Sequence, residues 1–434
     1  MKPIGSDRRV PSQRLSIGAC VAATMLCMPA LAIRQGEAPM SVDDAVKFGL
    51  GHNPQVPAGK AGVESAYANY RSLAAFPPLT LGGSHVQGTS TAPTLNGNNT
   101  DTFFDLGETI DFSGQRRYQA AGANAQFSAA RFTFQETLLG LEQQIRDAYW
   151  SLAAAQAQAR IADVSLKEAQ RIYDLTVKQE QAGASPHGDV VRSSIDVANA
   201  KQALITASAA ERTALIGFNT LIGRAASTPT ELTVDFRTDT SFPTPRLPAL
   251  KELQAQARDH RPLLRSAAAQ TRAAGYAVRQ VEASRFPDLG VSYQRSTQSP
   301  IDTVILSASI PLFDFGSISQ SIRAAKESRK QSEAQELQAK NQVDQQVAQA
   351  YSDMVTALEA AASYKKEILD PSVTLLAMAQ LGYQQGATGI LPVIDAESTI
   401  RNARVGYINS LAAVYKAQDE ILAATGKLPE AVTK

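Results

Sequence analysis

Cysteine is nearly missing from this 434-residue chain: Cys20 and Cys27 are its only two, and both fall before residue 33. The rest cannot be stapled by disulfides and must be held by packing or by association. Charge of one sign is missing too. The 42 basic residues stand against 41 acidic ones, which excludes bulk electrostatic binding to nucleic acid. Aromatic residues make up only 6%. The one long apolar run, Leu15 to Met28, is shorter than the roughly 20 residues a membrane-spanning helix needs. No P-loop, HExxH or dinucleotide motif is present, so no cofactor is expected. His52, His85 and His260 are scattered, and methionines are few, so no soft-metal ligand set forms. A 44% apolar share with 19% charge argues against global disorder.

The N-terminus has the layout of a secretory signal. Lys2, Arg8, Arg9 and Arg14 precede the apolar run, and Ala30-Leu31-Ala32 supplies small residues for cleavage. We expect residues 1–32 to be a signal peptide. A membrane anchor is the alternative, disfavoured by the short run. Ile17-Gly18-Ala19-Cys20 loosely resembles a lipoprotein site but lies too early in it. The segment carries four basic residues and Asp7, so its removal leaves an exported chain of net charge −2 with no cysteine.

The remainder of the chain repeats its own order. His52-Asn53-Pro54 recurs as His260-Arg261-Pro262, and Phe76-Pro77 as Phe286-Pro287. Ala148-Tyr149 recurs as Ala350-Tyr351, Gly183-Ala184 as Gly386-Ala387, and Gly223 as Gly426. The offset stays near 202 to 210 along the chain. That is a tandem duplication of one long unit. The expected repeats are 33–223 and 249–426, joined by a Thr- and Pro-rich segment at 224–248 with a short strand near Leu232–Phe236. Residues 427–434 form a tail.

Each unit has the same internal order. A helical stretch stops at a Phe-Pro break, since proline and its predecessor both resist helix. Two strand-like runs of about ten residues come next, near 79–112 and 288–313, apolar on alternate positions, the weak signature of a membrane strand. A surface strand of a soluble sheet would look similar. Glu108 interrupts the apolar alternation of the first unit, and Gly88–Asp101 reads as an exposed loop. Then no proline occurs from Thr94 to Ser185. Phe127, Phe134, Leu138, Leu141, Ile145, Leu152, Ala159 and Ala169 fall on one seam with a mean step of about 3.5. Long helices are expected over about 113–180 and 317–384, the second kinked by Pro371, with return helices over about 187–222 and 392–425. At 1.5 Å per residue each long helix reaches about 100 Å. Four strands cannot close a barrel, and an open edge in lipid leaves backbone groups unsatisfied. Strands in a membrane would therefore require several chains per barrel.

From about Ser41 to Gly426 the chain resembles the TolC-like outer-membrane factors of efflux and type I secretion. The resemblance rests on the duplicated order and on the two Phe-Pro breaks. It rests too on Ile310-Pro311-Leu312-Phe313-Asp314-Phe315-Gly316 entering a helix, and on Tyr383-Gln384-Gln385-Gly386 followed by Val393-Ile394-Asp395-Ala396-Glu397. It implies a fold that is mainly α with membrane β. A duplicated unit of β-hairpin plus long coiled-coil helices would form a trimeric 12-stranded β-barrel, continuous with a 12-helix periplasmic α-barrel. It also implies a non-enzymatic channel in the cell outer membrane, partnered by a periplasmic adaptor and an inner-membrane pump. A periplasmic coiled-coil protein without a barrel is the alternative.

By the same resemblance Asp395 matches an acid that rings the closed periplasmic aperture, while the family's companion acid is replaced by Pro392. An equally simple role for Asp395 is to complement the helix dipole. Gly183, Ala184, Ser185, Gly386, Ala387 and Thr388 form the tip turns, where an adaptor would dock. The two glycines also suit a purely structural positive-φ turn. Phe76, Pro77, Phe286 and Pro287 mark barrel entry. Ser185, His187 and Asp189 lie too close in sequence to be a hydrolytic triad.

Overall fold

The computed structural model describes residues 39–76, 78–89, 98–111, 113–236, 247–297, 302–309 and 315–427. Its elements come in two similar series. The first is α1 (Val42–His52), α2 (Gln55–Ala74), β1 (Thr80–Thr89), β2 (Asn98–Ile110), α3 (Gln115–Gln181) and α4 (His187–Leu221). The second is α5 (Leu250–His260), α6 (Pro262–Ala283), β3 (Asp288–Ser296), β4 (Asp302–Ser309), α7 (Ser317–Ser363), α8 (Asp370–Gln384) and α9 (Leu391–Ala424). A π-helical segment, Tyr364–Leu369, joins α7 to α8. Of the stretch from Gly88 to Asp101 that reads as loop, the described residues are strand, because β1 runs to Thr89 and β2 begins at Asn98.

The 67 residues of α3 form one uninterrupted helix, about 100 Å long. It packs against α2, α4, α6 and α9, so its buried band is wider than one coiled-coil seam. Leu138, Leu141, Ile145 and Leu152 lie on the expected seam, and Leu139, Tyr149, Trp150 and Ala153 widen it. Alanines along α3 (Ala153, Ala154, Ala157) let neighbouring helices approach closely. Tyr149 and Trp150 pack edge to face at 5.1 Å, and Trp150 stacks on Tyr415 at 4.4 Å. Such pairs add about 0.5–1.5 kcal/mol each beyond area burial.

The second long helix runs over 317–384 without a break and carries a π-helical turn just before Pro371. Proline lacks an N–H and its ring crowds the preceding turn. One inserted residue absorbs that misfit as a wider turn. Tyr364, first in that turn, lies over Gly406 of α9, where any side chain would meet its ring.

The duplicated His-X-Pro sequences form matching joints. Asn53 ends α1 and donates from Nδ2 to the Leu221 carbonyl at the end of α4, 2.8 Å away. Arg261 ends α5 and donates from Nη1 to Ala423 and Ala424 carbonyls at the end of α9, at 2.9 and 3.1 Å. In both repeats one polar side chain thus satisfies carbonyls that a helix end leaves open. Gly223 (φ 80°) and Gly426 (φ 76°) turn the chain there. In the segment joining the repeats the expected strand reduces to one parallel bridge, Met40 with Leu232.

Candidate functional site: the strand sheet and the helical tips

The four strands form one antiparallel sheet in the order β1-β2-β3-β4. The registers Leu81↔Leu106, Leu106↔Tyr293 and Tyr293↔Val304 set one face. With period-2 alternation it carries Leu81, Phe104, Leu106, Val291, Tyr293, Val304 and Leu306. The other face is mostly polar: it carries Thr80, Gly82, Ser84, Asp105, Ser292, Gln294, Thr303 and Ser307, with Phe103 and Ile305 among them. On β2 and β3 exposure runs opposite to that of a water-soluble sheet: Phe104 and Leu106 are exposed beside a partly sheltered Asp105, and Val291 and Tyr293 are exposed beside partly sheltered Ser292 and Gln294. On β4 both faces are exposed, with Val304 and Leu306 the most exposed large apolar side chains there, at 72% and 74%. Glu108 falls on the apolar face opposite Val291, near the helical end. The outer edges of β1 and β4 pair with no other described strand.

Where β2 meets α3, Asp111 Oδ1 accepts from Ser113 Oγ (2.6 Å) and the Gly114 N–H (2.9 Å), and Oδ2 accepts from the Arg116 N–H (2.6 Å). This fixes the left-handed Gly114 that starts the helix. Arg116 reaches across to the Ala75 carbonyl at 2.6 Å. Above it, Thr80, Gly107, Ser292 and Ser307 line a concavity of about 450 Å³. Phe76 and Phe286, at the ends of the helices that precede the strands, are 85% and 62% exposed. Pro287 is half-buried beside Asp288, and Pro77 lies outside the described residues. Of the other aromatics near strand ends, Phe112 and Phe313 are also outside them.

At the opposite ends of the helices the structure brings the two tip turns together. Gly183 (φ 73°) and Gly386 (φ 71°) each take the left-handed conformation. The Ala184 N–H reaches the Gln179 carbonyl, and the Ala387 N–H the Gly382 carbonyl, at 2.8 and 2.9 Å. Ser185 lies in the first turn, and Thr388 follows in the second with its N–H on Gly382, 3.3 Å. Tyr383 Oη donates to Gln179 across the two tips. Beneath them Ile172, Ile390 and Val393 form a small core. No triad assembles at Ser185, His187 and Asp189, because the His187 Nδ1 contacts Glu180 Oε1 at 2.7 Å.

Asp395 is exposed, and it is the fifth residue of α9, whose first turn holds no acid. Dipole compensation falls off within the first turn, and Asp395 stands just past it. Two residues on, Glu397 is a feature sequence reasoning passed over. Gln380 Nε2 donates to its Oε1 at 3.3 Å, joining α8 to α9. Burial, and the negative charge of Glu168, hold its carboxyl above the usual range against Arg404. Asp196 on α4 is likewise raised by burial, with Arg401 opposing. The only sequence signal was an acid on the apolar side of α9.

The sequence pattern of the family described as "Outer membrane efflux protein" matches twice, over residues 49–224 and 253–427. The chain belongs to that family. It is an outer-membrane efflux protein. It is similar to cobalt-zinc-cadmium resistance protein CzcC of Cupriavidus metallidurans, 22% identical over 89% of this chain and 90% of that protein. Protein CyaE of Bordetella pertussis is 24% identical over 89% of this chain and 84% of its own length. The crystal structure of a membrane protein from Pseudomonas aeruginosa superposes with a TM-score of 0.79 at 16% identity, over 91% and 92% of the two chains. That likeness shows the fold. No helix among the described residues is long and apolar enough to cross a membrane.

Proposed function

We propose that three copies of this chain assemble into one export duct. Each would contribute its four strands to a 12-stranded β-barrel in the outer membrane and its long helices to a 12-helix periplasmic tunnel. One observation carries this reading: a sheet with one apolar, solvent-exposed face and one mostly polar face, whose two edges pair with no other described strand. Lipid is the solvent that suits such a face, and closure with other copies is what such edges need. The helices support the same assembly. Val191, Ile195, Ile205 and Ile216 of α4, and Val373, Met378 and Leu381 of α8, are exposed in a single chain.

Residues 1–32 would act as the signal peptide and 224–248 as the equatorial connection between repeats 33–223 and 249–426, with 427–434 as a tail. At the periplasmic end, Asp395 from three chains would ring the aperture and favour cations, as rings of acids do. The tip turns Gly183–Ser185 and Gly386–Thr388 would receive a periplasmic adaptor, which couples the duct to an inner-membrane pump. Conduction is passive, and the pump sets the cargo. The test is membrane fractionation of the expressed protein. A sarkosyl-insoluble, heat-modifiable trimer is expected. A sarkosyl-soluble monomer in the periplasmic fraction would favour the coiled-coil alternative and end this proposal.

A further inference from the structure

We propose that Asp105 sets the charge preference of the barrel interior, a permeation role distinct from the aperture at Asp395; it rests on the trimeric-barrel reading above. The register pairs Asp105 with Gly82 on β1 and Gln294 on β3, on the polar face. Its carboxylate lies flat over Gly82: a Cβ there would stand 2.5 and 2.6 Å from its two oxygens. Glycine is what lets the carboxylate occupy that place. The second repeat has the same cross-strand pair, Gly290 with Ser307. A Cβ at Gly290 would stand 2.5 Å from the Ser307 Oγ. Duplication therefore kept the cradle and exchanged a carboxylate for a hydroxyl.

Within the strands the described side chains of that face give the carboxylate no counter-charge; Arg116 of α3, which lines the concavity with Thr80, Ser292 and Ser307, stands at the helical end and donates to the Ala75 carbonyl. Thr80, Ser84, Ser292, Gln294 and Thr303 are neutral, and Asp288 adds negative charge at the helical end of β3. Arg295 is the one Lys or Arg in the four strands, and it lies on the apolar face 3.8 Å from Asp302. In a three-fold barrel Asp105 carboxylates would alternate with Ser307 hydroxyls around the lumen. A water-filled passage lined by one sign of charge between low-dielectric walls concentrates the opposite ion.

The experiment is reversal-potential recording of the purified full-length channel in planar bilayers under a potassium chloride gradient. It compares Asp105→Asn with the parent, in the wild-type and Asp395→Asn backgrounds so that the aperture does not hide the lumen. The potassium-to-chloride permeability ratio should fall by about twofold or more at 0.1 M salt and converge with the parent at 1 M, where the screening length is about 3 Å. Adding Ser307→Asp to Asp105→Asn should restore the ratio, because the two positions share one architecture. That rescue is something a merely structural role would not produce. An unchanged ratio in trimeric, conducting Asp105→Asn in both backgrounds, or no rescue by Ser307→Asp, overturns the proposal. A parent chain that forms no conducting trimer overturns the barrel reading, and this inference with it.

Discussion

Alanine at Gly223 or Gly426 should cost far more than alanine at Gly183 or Gly386, although all four glycines share nearly the same backbone conformation. Their φ values lie between 71° and 80°. A left-handed conformation costs a residue with a Cβ about 1–2 kcal/mol, and that penalty is common to all four. The surroundings differ. At Gly183 and Gly386 an added Cβ meets nothing within 4 Å. At Gly223 it would lie 2.8 Å from the His52 carbonyl oxygen and 3.0 Å from its carbon. At Gly426 it would lie 3.0 Å from Arg261 N and Cα and from the His260 carbonyl carbon. These obstacles are backbone, so one chain segment must move, and forced overpacking costs about another 1–3 kcal/mol. The movement would also lengthen the bonds from Asn53 and Arg261 to the helix ends. The expected total is about 2–5 kcal/mol at the joints, against about 1–2 kcal/mol at the tips. Urea unfolding in detergent, followed by far-UV circular dichroism with all four variants side by side, measures the difference. Equal losses at all four positions would show that the helix ends do not approach the His-X-Pro segments as described.

The buried polar groups and the periplasmic tip lead to further expected outcomes. Arg261→Ala should destabilise by about 3–5 kcal/mol, because it strands Glu136 (2.8 Å) and two carbonyls in a buried joint, while Asn53→Ala should cost about 1–2 kcal/mol by the same urea assay. Burial holds the carboxyls of Glu142 and Asp419 above the usual range despite Arg146. A group whose folded pKa is raised contributes stability present below its unfolded pKa and lost as pH rises through the folded one. The urea midpoint should therefore fall as pH climbs from the ordinary carboxylate range toward neutrality, and Glu142→Gln should flatten that slope; a midpoint rising over this span would contradict the burial argument. Asp395→Ala should reduce cation selectivity and block by divalent cations in single-channel recordings, and unchanged values for both would remove the aperture ring. A bulky residue at Gly386 should abolish efflux in cells while trimers still assemble, and intact efflux would move the adaptor contact elsewhere.

Those buried groups also mark where sequence reading ends. Periodicity made α3 legible because its signal is local: apolar residues three and four apart, and no proline to interrupt them. The duplication was legible because Asn53-Pro54, Arg261-Pro262 and the turn glycines keep their order over about two hundred positions. What the motif Asn/Arg-Pro does was not legible. Its side chains reach carbonyls 168 and 162 residues away, and no local pattern signals such a partner. Trp150 shows the same limit. It reads as packing, and it does pack, but its Nε1 also donates to Asp419 at 2.6 Å across 269 residues. There Asp419 is shared with Arg146, which bridges Asp43 and Glu142 as well. Taken locally, charges on a long helix suit a solvated face; Glu142 and Arg146 are instead the polar centre of a junction between α1, α3 and α9.

Pro371 carried half of its message in sequence. Its presence announced a defect in the helix, and the form that defect takes is a π turn. Opposite it, Gly406 of α9 leaves room for the ring of Tyr364. The strands gave the reverse case. Their alternation was legible, but alternation says only that the two faces differ. The direction of the difference came from exposure: on β2 and β3 the apolar side chains are the open ones and the polar ones are partly sheltered. That reversal separates a sheet made for lipid from one made for water. In the proposed barrel it also places Asp105, one acid in a weak strand signal, on the inside of the duct.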